Sequence, residues 1–205
     1  MNSRLARTTR SDNRLPDVLG AAARLFAAKG YSATSMRDIA EDCDMLPGSL
    51  YYHFAAKEDL LAAVYEAGVR ELRGAVHAAV AHPREPWARL EAACAAHLET
   101  VLRNSDYAQV LVRVLPSDVP GAAARLKALR SDYEHLFREL VAALPLPAES
   151  DRRMFRLMLL GALNWSRFWF SEDAAGGPRP RPGRRETPRS LARKFVLVLK
   201  KAQHA

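Results

Sequence analysis

Residues 47–57, PGSLYYHFAAK, gather hydrogen-bond donors without gathering the parts of a catalytic site. Tyr51 and Tyr52 each offer a phenolic hydroxyl, His53 a ring N–H and Lys57 an ammonium, and all four suit phosphate oxygens. Leu50 and Phe54 are four apart, share one face of a helix and should pack inward. Three consecutive helical residues sweep about 200° of arc at roughly 3.6 residues per turn. Tyr51, Tyr52 and His53 therefore cannot all join that core, and at least one must face outward. Pro47 suits a first helical position, where its missing N–H would be unpaired anyway. Gly48 and Ser49 are small enough to let bases or sugar-phosphate approach closely. The chemistry this implies is recognition of a nucleic acid. Bond-making chemistry finds no support: the chain has no glycine-rich phosphate loop, paired-carboxylate site or Cys/His metal spacing. Cys94 and His97 are three apart, but two residues do not make a zinc site. Neither a metal nor a cofactor is expected.

These residues need a frame, and the spacing of apolar residues supplies one that is helical almost throughout, with no convincing two-residue period. Leu15, Val18, Leu19, Ala22, Leu25 and Phe26 predict a first helix stopped at Gly30. Thr34 or Ser35 can cap a short helix over 35–43 that Arg37 and Asp38 open and whose Ile39 and Ala40 face inward. A tight turn leads to a second short helix over 47–53. Two such helices form a helix-turn-helix, whose second helix enters the major groove of DNA. A longer helix follows from Lys57 to Val80, ended by Pro83 and Pro86. Five more are read at 87–104, 106–115, 121–144, 149–171 and 188–203, with a Pro-, Gly- and Arg-rich loop over 173–187. The expected fold is all-α with about nine helices. Its organisation is a basic N-terminal arm (1–13), a DNA-binding domain (14–72, with its helix-turn-helix at 35–54) and a helical bundle for ligand binding and dimerisation (73–205).

Bulk composition narrows the class but does not locate the site. The formal charge of +8 in 205 residues looks like a nucleic-acid signal. Residues 176–205 alone carry nine Arg or Lys against one Glu, and the remainder balances to zero. Local patterning must therefore place the site. Arg4, Arg7 and Arg10 form a second basic spot, either a disordered tail or an arm tracking phosphates or the minor groove. No run reaches the roughly 18 apolar residues of a membrane span, and the N-terminus lacks the apolar core of a secretory signal. With only Cys43 and Cys94 present, a reducing cytoplasm is expected.

The stretch GYSATSMRDIAEDCDMLPGSLYYHFAAKEDLL (residues 30–61) resembles the helix-turn-helix of the tetracycline-repressor (TetR) family: a glycine, a Thr-rich cap, Ile-Ala, a turn, Gly-Ser/Thr-Leu-Tyr-x-His-Phe, then Lys-Glu-x-Leu. The resemblance covers residues 14 to about 72. It implies a homodimeric repressor of transcription on a palindromic operator, usually released by a small ligand in the C-terminal domain. Carried over position by position, Thr34, Arg37, Ser49, Tyr51, Tyr52, His53 and Lys57 fall where the family contacts DNA. Ser35, Pro47 and Gly48 complete the expected interface. Two departures stand out. Cys43-Asp44 replaces the usual Ala-Gly of the turn, and Leu46 replaces the Ser or Thr that caps the recognition helix. Further on, LLGALNWSRFWF (159–170) resembles a subgroup of the family, some of whose members regulate lipid or steroid catabolism and sense acyl-CoA thioesters.

The helix read over 149–171 is apolar nearly all round and must be buried on several sides. Phe155, Leu159 and Trp169 with Leu191, Phe195 and Val198 are expected to form a four-helix dimer interface; one thick monomer core is the other reading. His97, Tyr107, Arg113, His135 and Asn164 are polar residues within apolar runs, and with Trp165 they are the candidates for binding a small apolar ligand with a polar head. Arg113 suits an anionic group on that ligand, and the loop RPRPGRR could hold the phosphates of a nucleotide-like one such as coenzyme A. Ligand binding would then shift the helix over 57–80 as a lever and respace the two recognition helices. The alternatives are a dimeric DNA-binding protein without a ligand, and a binder or enzyme for apolar metabolites.

Overall fold

A computed structural model describes residues 14–102, 105–175 and 186–202. Among them are nine α-helices and no strand. They are α1 (Leu15–Lys29), α2 (Met36–Asp42), α3 (Pro47–His53), α4 (Lys57–Val80), α5 (Pro86–Leu102), α6 (Asp106–Arg113), α7 (Ala123–Ala142), α8 (Arg152–Ala175) and α9 (Pro188–Ala202). The predicted all-α class and helix count hold. Two boundaries move for local reasons. Two 3₁₀ turns, Pro116–Asp118 and Pro120–Ala122, occupy the approach to α7, because each opens on a proline that cannot donate to a preceding carbonyl. Helix α8 runs one turn past the expected end, to Ala175, since Ser-Glu-Asp-Ala-Ala contains no breaker before Gly176.

The chain divides into two compact units. The first joins residues up to Val69 with Asp106–Leu129, and the second joins Arg70–Ser105 with the chain from Arg130 on. The segment from Asp106 to Leu129, read from sequence as part of the C-terminal domain, thus packs with the first unit.

In the first unit, Val18, Ala22 and Phe26 of α1, Ile39 and Ala40 of α2, Leu50 of α3 and Leu60, Leu61 and Val64 of α4 are buried. Gly30 ends α1 with φ 87°, a backbone that favours glycine. Helix α6 packs against α1, and Arg113 at its end donates to the Ala27 carbonyl oxygen in the last turn of α1. At the crossing of α4 and α6, a Cβ on Gly68 would stand 2.9 Å from the Tyr107 carbonyl oxygen, so only glycine fits. In the second unit, α5 packs on both α8 and α9. Trp87 meets Phe155 (ring centroids 6.2 Å apart) and Trp169 meets Phe195 (6.3 Å). No helix among the described residues is long and apolar enough to cross a membrane.

Candidate nucleic-acid interface

The helix-turn-helix is assembled from polar latches around the small apolar core of the first unit. Ser35 caps α2: its hydroxyl accepts from the Asp38 N–H (3.1 Å), and the Asp38 carboxylate accepts from the Ser35 N–H (2.8 Å). The bond from the Ser35 backbone N–H favours the ionised form and holds the Asp38 carboxyl below its ordinary range. At the far end of α2, Arg14 donates to the Cys43 carbonyl and Arg24 pairs with Asp42, which ties α2 to α1. Asp44 makes the turn with φ 53°, the left-handed backbone that the family's glycine would adopt more cheaply.

Helix α3 then divides as its spacing requires. Leu50 is fully buried and Phe54 half-buried. Tyr51 and Tyr52 are 52% and 82% exposed, Gly48 and Ser49 are exposed, and the rings of Tyr52 and His53 meet edge to face at 5.7 Å. A Cβ on Gly48 would meet nothing of the chain within 4 Å, so packing inside the protein does not demand a glycine there. Arg37 and Ser35, both exposed, stand at the start of α2. An open depression of about 800 Å³, lined by Arg37, Glu41, Asp44, Met45, Leu46, Pro47 and Tyr51, lies beside the recognition helix. Together these groups present a short helix with a small tip, flanked by hydroxyls and a guanidinium. That is the form a major groove about 12 Å wide can admit.

Two of the expected DNA contacts also have structural work within the chain. Thr34 is 1% exposed, and its hydroxyl donates to the Gly30 carbonyl oxygen at 2.8 Å, closing the end of α1. Lys57 donates to the carbonyl oxygens of Tyr31 (2.9 Å) and Thr34 (2.8 Å) and lies 4.3 Å from the Tyr31 ring centroid. Its ammonium clasps the loop between α1 and α2. A carbonyl left at a helix end draws a nearby donor as strongly as a distant phosphate does, and sequence spacing does not distinguish the two. Arg4, Arg7 and Arg10 lie outside the described residues, as does most of the 173–187 loop.

The six expected ligand residues fall in both units. Arg113 closes α1 and Tyr107 packs at the Gly68 crossing, both in the first unit. His135 is exposed on α7 beside Glu139 (3.5 Å), and Trp165 is exposed on α8. Within the second unit His97 feels the Asn164 side chain, and sequence reading missed its hydroxyl partner Tyr133. His97 is buried, with Nδ1 2.8 Å from the Tyr133 hydroxyl and its ring edge-on to Phe137. Burial pushes the His97 pKa down to about 4, against the opposing pull of the Asn164 side chain, so the ring is neutral at physiological pH. Two open depressions of the second unit, about 240 Å³ beside Arg89 and Leu140 and about 370 Å³ beside Glu99 and Arg189, are lined by none of the six. No group of three or more His, Cys, Asp or Glu that could hold a metal occurs among the described residues.

The expected dimer contacts also separate. Phe155, Leu159 and Leu191 are buried within their own unit, and Trp169 and Phe195 are half-buried against each other. Of the six, Val198 alone is exposed. The apolar surface of α8 lies one step round the helix, at Met154, Leu157, Met158, Trp165 and Phe168, with Leu197 beside Val198 on α9.

Comparison with known proteins agrees with this arrangement. Residues 18–64 match the model of bacterial regulatory proteins of the tetR family, and residues 83–179 match a tetracyclin repressor-like C-terminal domain. The chain is 31% identical over 134 residues to the HTH-type transcriptional repressor KstR2 of Rhodococcus jostii, which covers 65% of this chain and 64% of that one. Against KstR2 of Mycobacterium tuberculosis the match is 46% over 50 residues, about a quarter of either chain. Among solved structures, AibR in complex with isovaleryl coenzyme A and operator DNA aligns with a TM-score of 0.72 at 25% identity, over 90% of this chain and 97% of that one. A helix-turn-helix latched in this way, with matched models over both parts of the chain, leads to one conclusion: the protein belongs to the TetR family of bacterial regulatory proteins.

Proposed function

We propose that this protein is a homodimeric repressor of transcription that holds a palindromic operator and is released from it by a small apolar ligand, an acyl-CoA thioester. The observation that carries the reading is the outer face of α3: Gly48, Ser49, Tyr51 and Tyr52 are exposed on a helix whose Leu50 anchors it inward. Small residues at the tip meet base edges, and hydroxyls and Arg37 hold phosphates, which fixes register without reading sequence. Such a protein works in the cytoplasm, with access to the chromosome.

Dimerisation follows from geometry and from surface. Palindromic half-sites recur roughly 34–36 Å apart, beyond the reach of one short helix. On α8, residues 154, 158, 161, 165 and 168 follow the alternating four-and-three spacing of helices that pack in pairs. Four of them are exposed Met, Trp or Phe, and the fifth is Gly161. A Cβ on Gly161 would meet nothing of its own chain within 4 Å. A mid-helix glycine costs about 1 kcal/mol relative to alanine, and close approach of a second helix accounts for its presence.

The ligand class draws support from the relatives: AibR is described with isovaleryl coenzyme A and operator DNA, and KstR2 is named a repressor. Within this chain, His97, Tyr133 and Asn164 supply neutral polar groups inside an apolar helical unit, which suits a thioester carbonyl. Release requires that the ligand prefer the conformation that does not bind DNA, since equal affinity for both would shift nothing. To test the proposal, the full chain is incubated with sheared genomic DNA of its source, and the retained fragments are sequenced. A shared palindrome is expected, and retention without any common motif would refute operator binding. Adding short-chain acyl-CoA thioesters to the isolated complex should release the DNA. Retention in the presence of every thioester tested would refute ligand release and leave a constitutive dimeric DNA-binding protein.

A further inference from the structure

Leu46 stands at the start of the recognition helix, where its carbonyl accepts from the Ser49 N–H (2.9 Å) but its side chain does nothing for the helix. Its backbone is extended (φ −73°, ψ 138°), as a capping residue requires, but its side chain caps no N–H. It is 77% exposed, more than any other described leucine of this unit. A helix start favours Ser, Thr, Asp or Asn, so an exposed leucine there forgoes a cap and gains no burial within the chain.

Its surroundings narrow what could cover it. Leu46 lines the open depression between α2 and α3 together with Arg37, Glu41, Asp44 and Tyr51. Arg37 and the Tyr51 hydroxyl suit phosphate oxygens, whereas the two carboxylates do not. They suit base edges, because a carboxylate accepts from the cytosine amino group, whereas an apolar side chain finds its complement in the thymine C5-methyl group. We infer that Leu46 is a specificity-determining residue that packs against the C5-methyl group of one thymine in each operator half-site. This rests on the operator-binding reading, and it adds which feature of the DNA the side chain reads.

The experiment uses the genomic fragment retained by the full chain and a set of duplexes in which each thymine in turn is replaced by uracil, which lacks only the methyl group. Affinities are measured by fluorescence anisotropy at one fixed salt concentration. At one thymine position per half-site, uracil should weaken binding about fourfold, the factor that burial of one methyl group supplies. Replacement in both half-sites should weaken it about fifteenfold. Leu46→Ala should bind the thymine duplex less tightly and treat thymine and uracil alike, whereas Leu46→Met should keep a preference. Leu46→Ser should melt at a higher temperature than the parent, through the cap it gains, and still lose the preference. A Leu46→Ala protein that discriminates as the parent does, or a parent indifferent to uracil at every position, would overturn the role of Leu46 while operator binding stands. Failure of the parent to retain any genomic DNA would overturn operator binding, and Leu46 with it.

Discussion

Replacing Trp165 with alanine puts the proposed dimer at risk. The indole is 64% exposed on α8 and leans on Phe168 with ring centroids 4.6 Å apart. A tryptophan covers about 150–250 Å² when fully buried, so covering its exposed part removes on the order of 100–160 Å² from water. At about 25 cal/mol per Å² this corresponds to about 2.5–4 kcal/mol per protomer. A two-fold interface counts the residue twice, but interfacial area converts to affinity only in part, because ordering and desolvation oppose it. If about half survives, the dimer loses about 2.5–4 kcal/mol, which raises Kd by two to three powers of ten. Sedimentation equilibrium from nanomolar to tens of micromolar protein would measure the shift, and far-ultraviolet circular dichroism would follow the fold. The expected result is a variant that dissociates at concentrations where the parent is dimeric, with its helix content intact. A dimer as tight as the parent's would refute the assignment of this stripe. Loss of helix would show that Trp165 supports its own protomer instead.

Gly161→Ala should stabilise an isolated α8 by about 1 kcal/mol, yet weaken the dimer by keeping the paired helices apart; sedimentation of a variant just as dimeric as the parent would exclude close helix approach there. For His97, the folded pKa of about 4 lies below the ordinary 6.5, so the unfolded chain binds more protons between those values. The stability conferred by the neutral ring is therefore complete above pH 6.5 and is lost as pH falls toward 4, a span of about 3 kcal/mol at about 1.4 per unit. Urea denaturation of parent and His97→Gln at pH 7 and pH 4.5 checks this, since the variant should lack most of the loss; equal losses would show that other groups dominate. Gly68→Ala should destabilise the protein by about 1–3 kcal/mol through overpacking against the Tyr107 carbonyl. An unchanged melting temperature would mean that α4 and α6 separate freely.

The fold was legible because its signals are local. Gly30, Pro47, Pro83 and Pro86 bound helices in any surroundings, and the recognition helix could be split into inner and outer residues from the spacing of Leu50 and Phe54 alone. What could not be read was which partner each polar group would find. Thr34 and Lys57 have the types of phosphate ligands, and within the chain they also meet the carbonyls of Gly30, Tyr31 and Thr34. Arg113 sits in an apolar run like a ligand contact, yet it meets α1 across 86 residues of chain. The apolar stripe that α8 leaves exposed differs from the expected dimer contacts for a related reason. Helix α8 is apolar nearly all round, so its periodicity could not say which stripe the rest of the unit would cover. Tyr133 escaped notice because nothing in its own neighbourhood in the sequence points to His97.

The first unit is discontinuous in the chain, and this bears on how such regulators can be recombined. The first compact unit is not confined to the stretch before residue 72. It includes α6, which buries Ala108, Val110 and Leu111, presses its backbone onto Gly68 and closes α1 through Arg113. A chimera that exchanges everything after residue 72 for another sensor would therefore bring a foreign α6 against the native α1 and α4. Its DNA-binding half would fold only if that foreign helix also left room at Gly68 and carried a donor for the end of α1. Modular exchange in this protein is better made with Asp106–Leu129 kept as part of the head, so that the portable piece is defined by spatial packing and not by position along the gene.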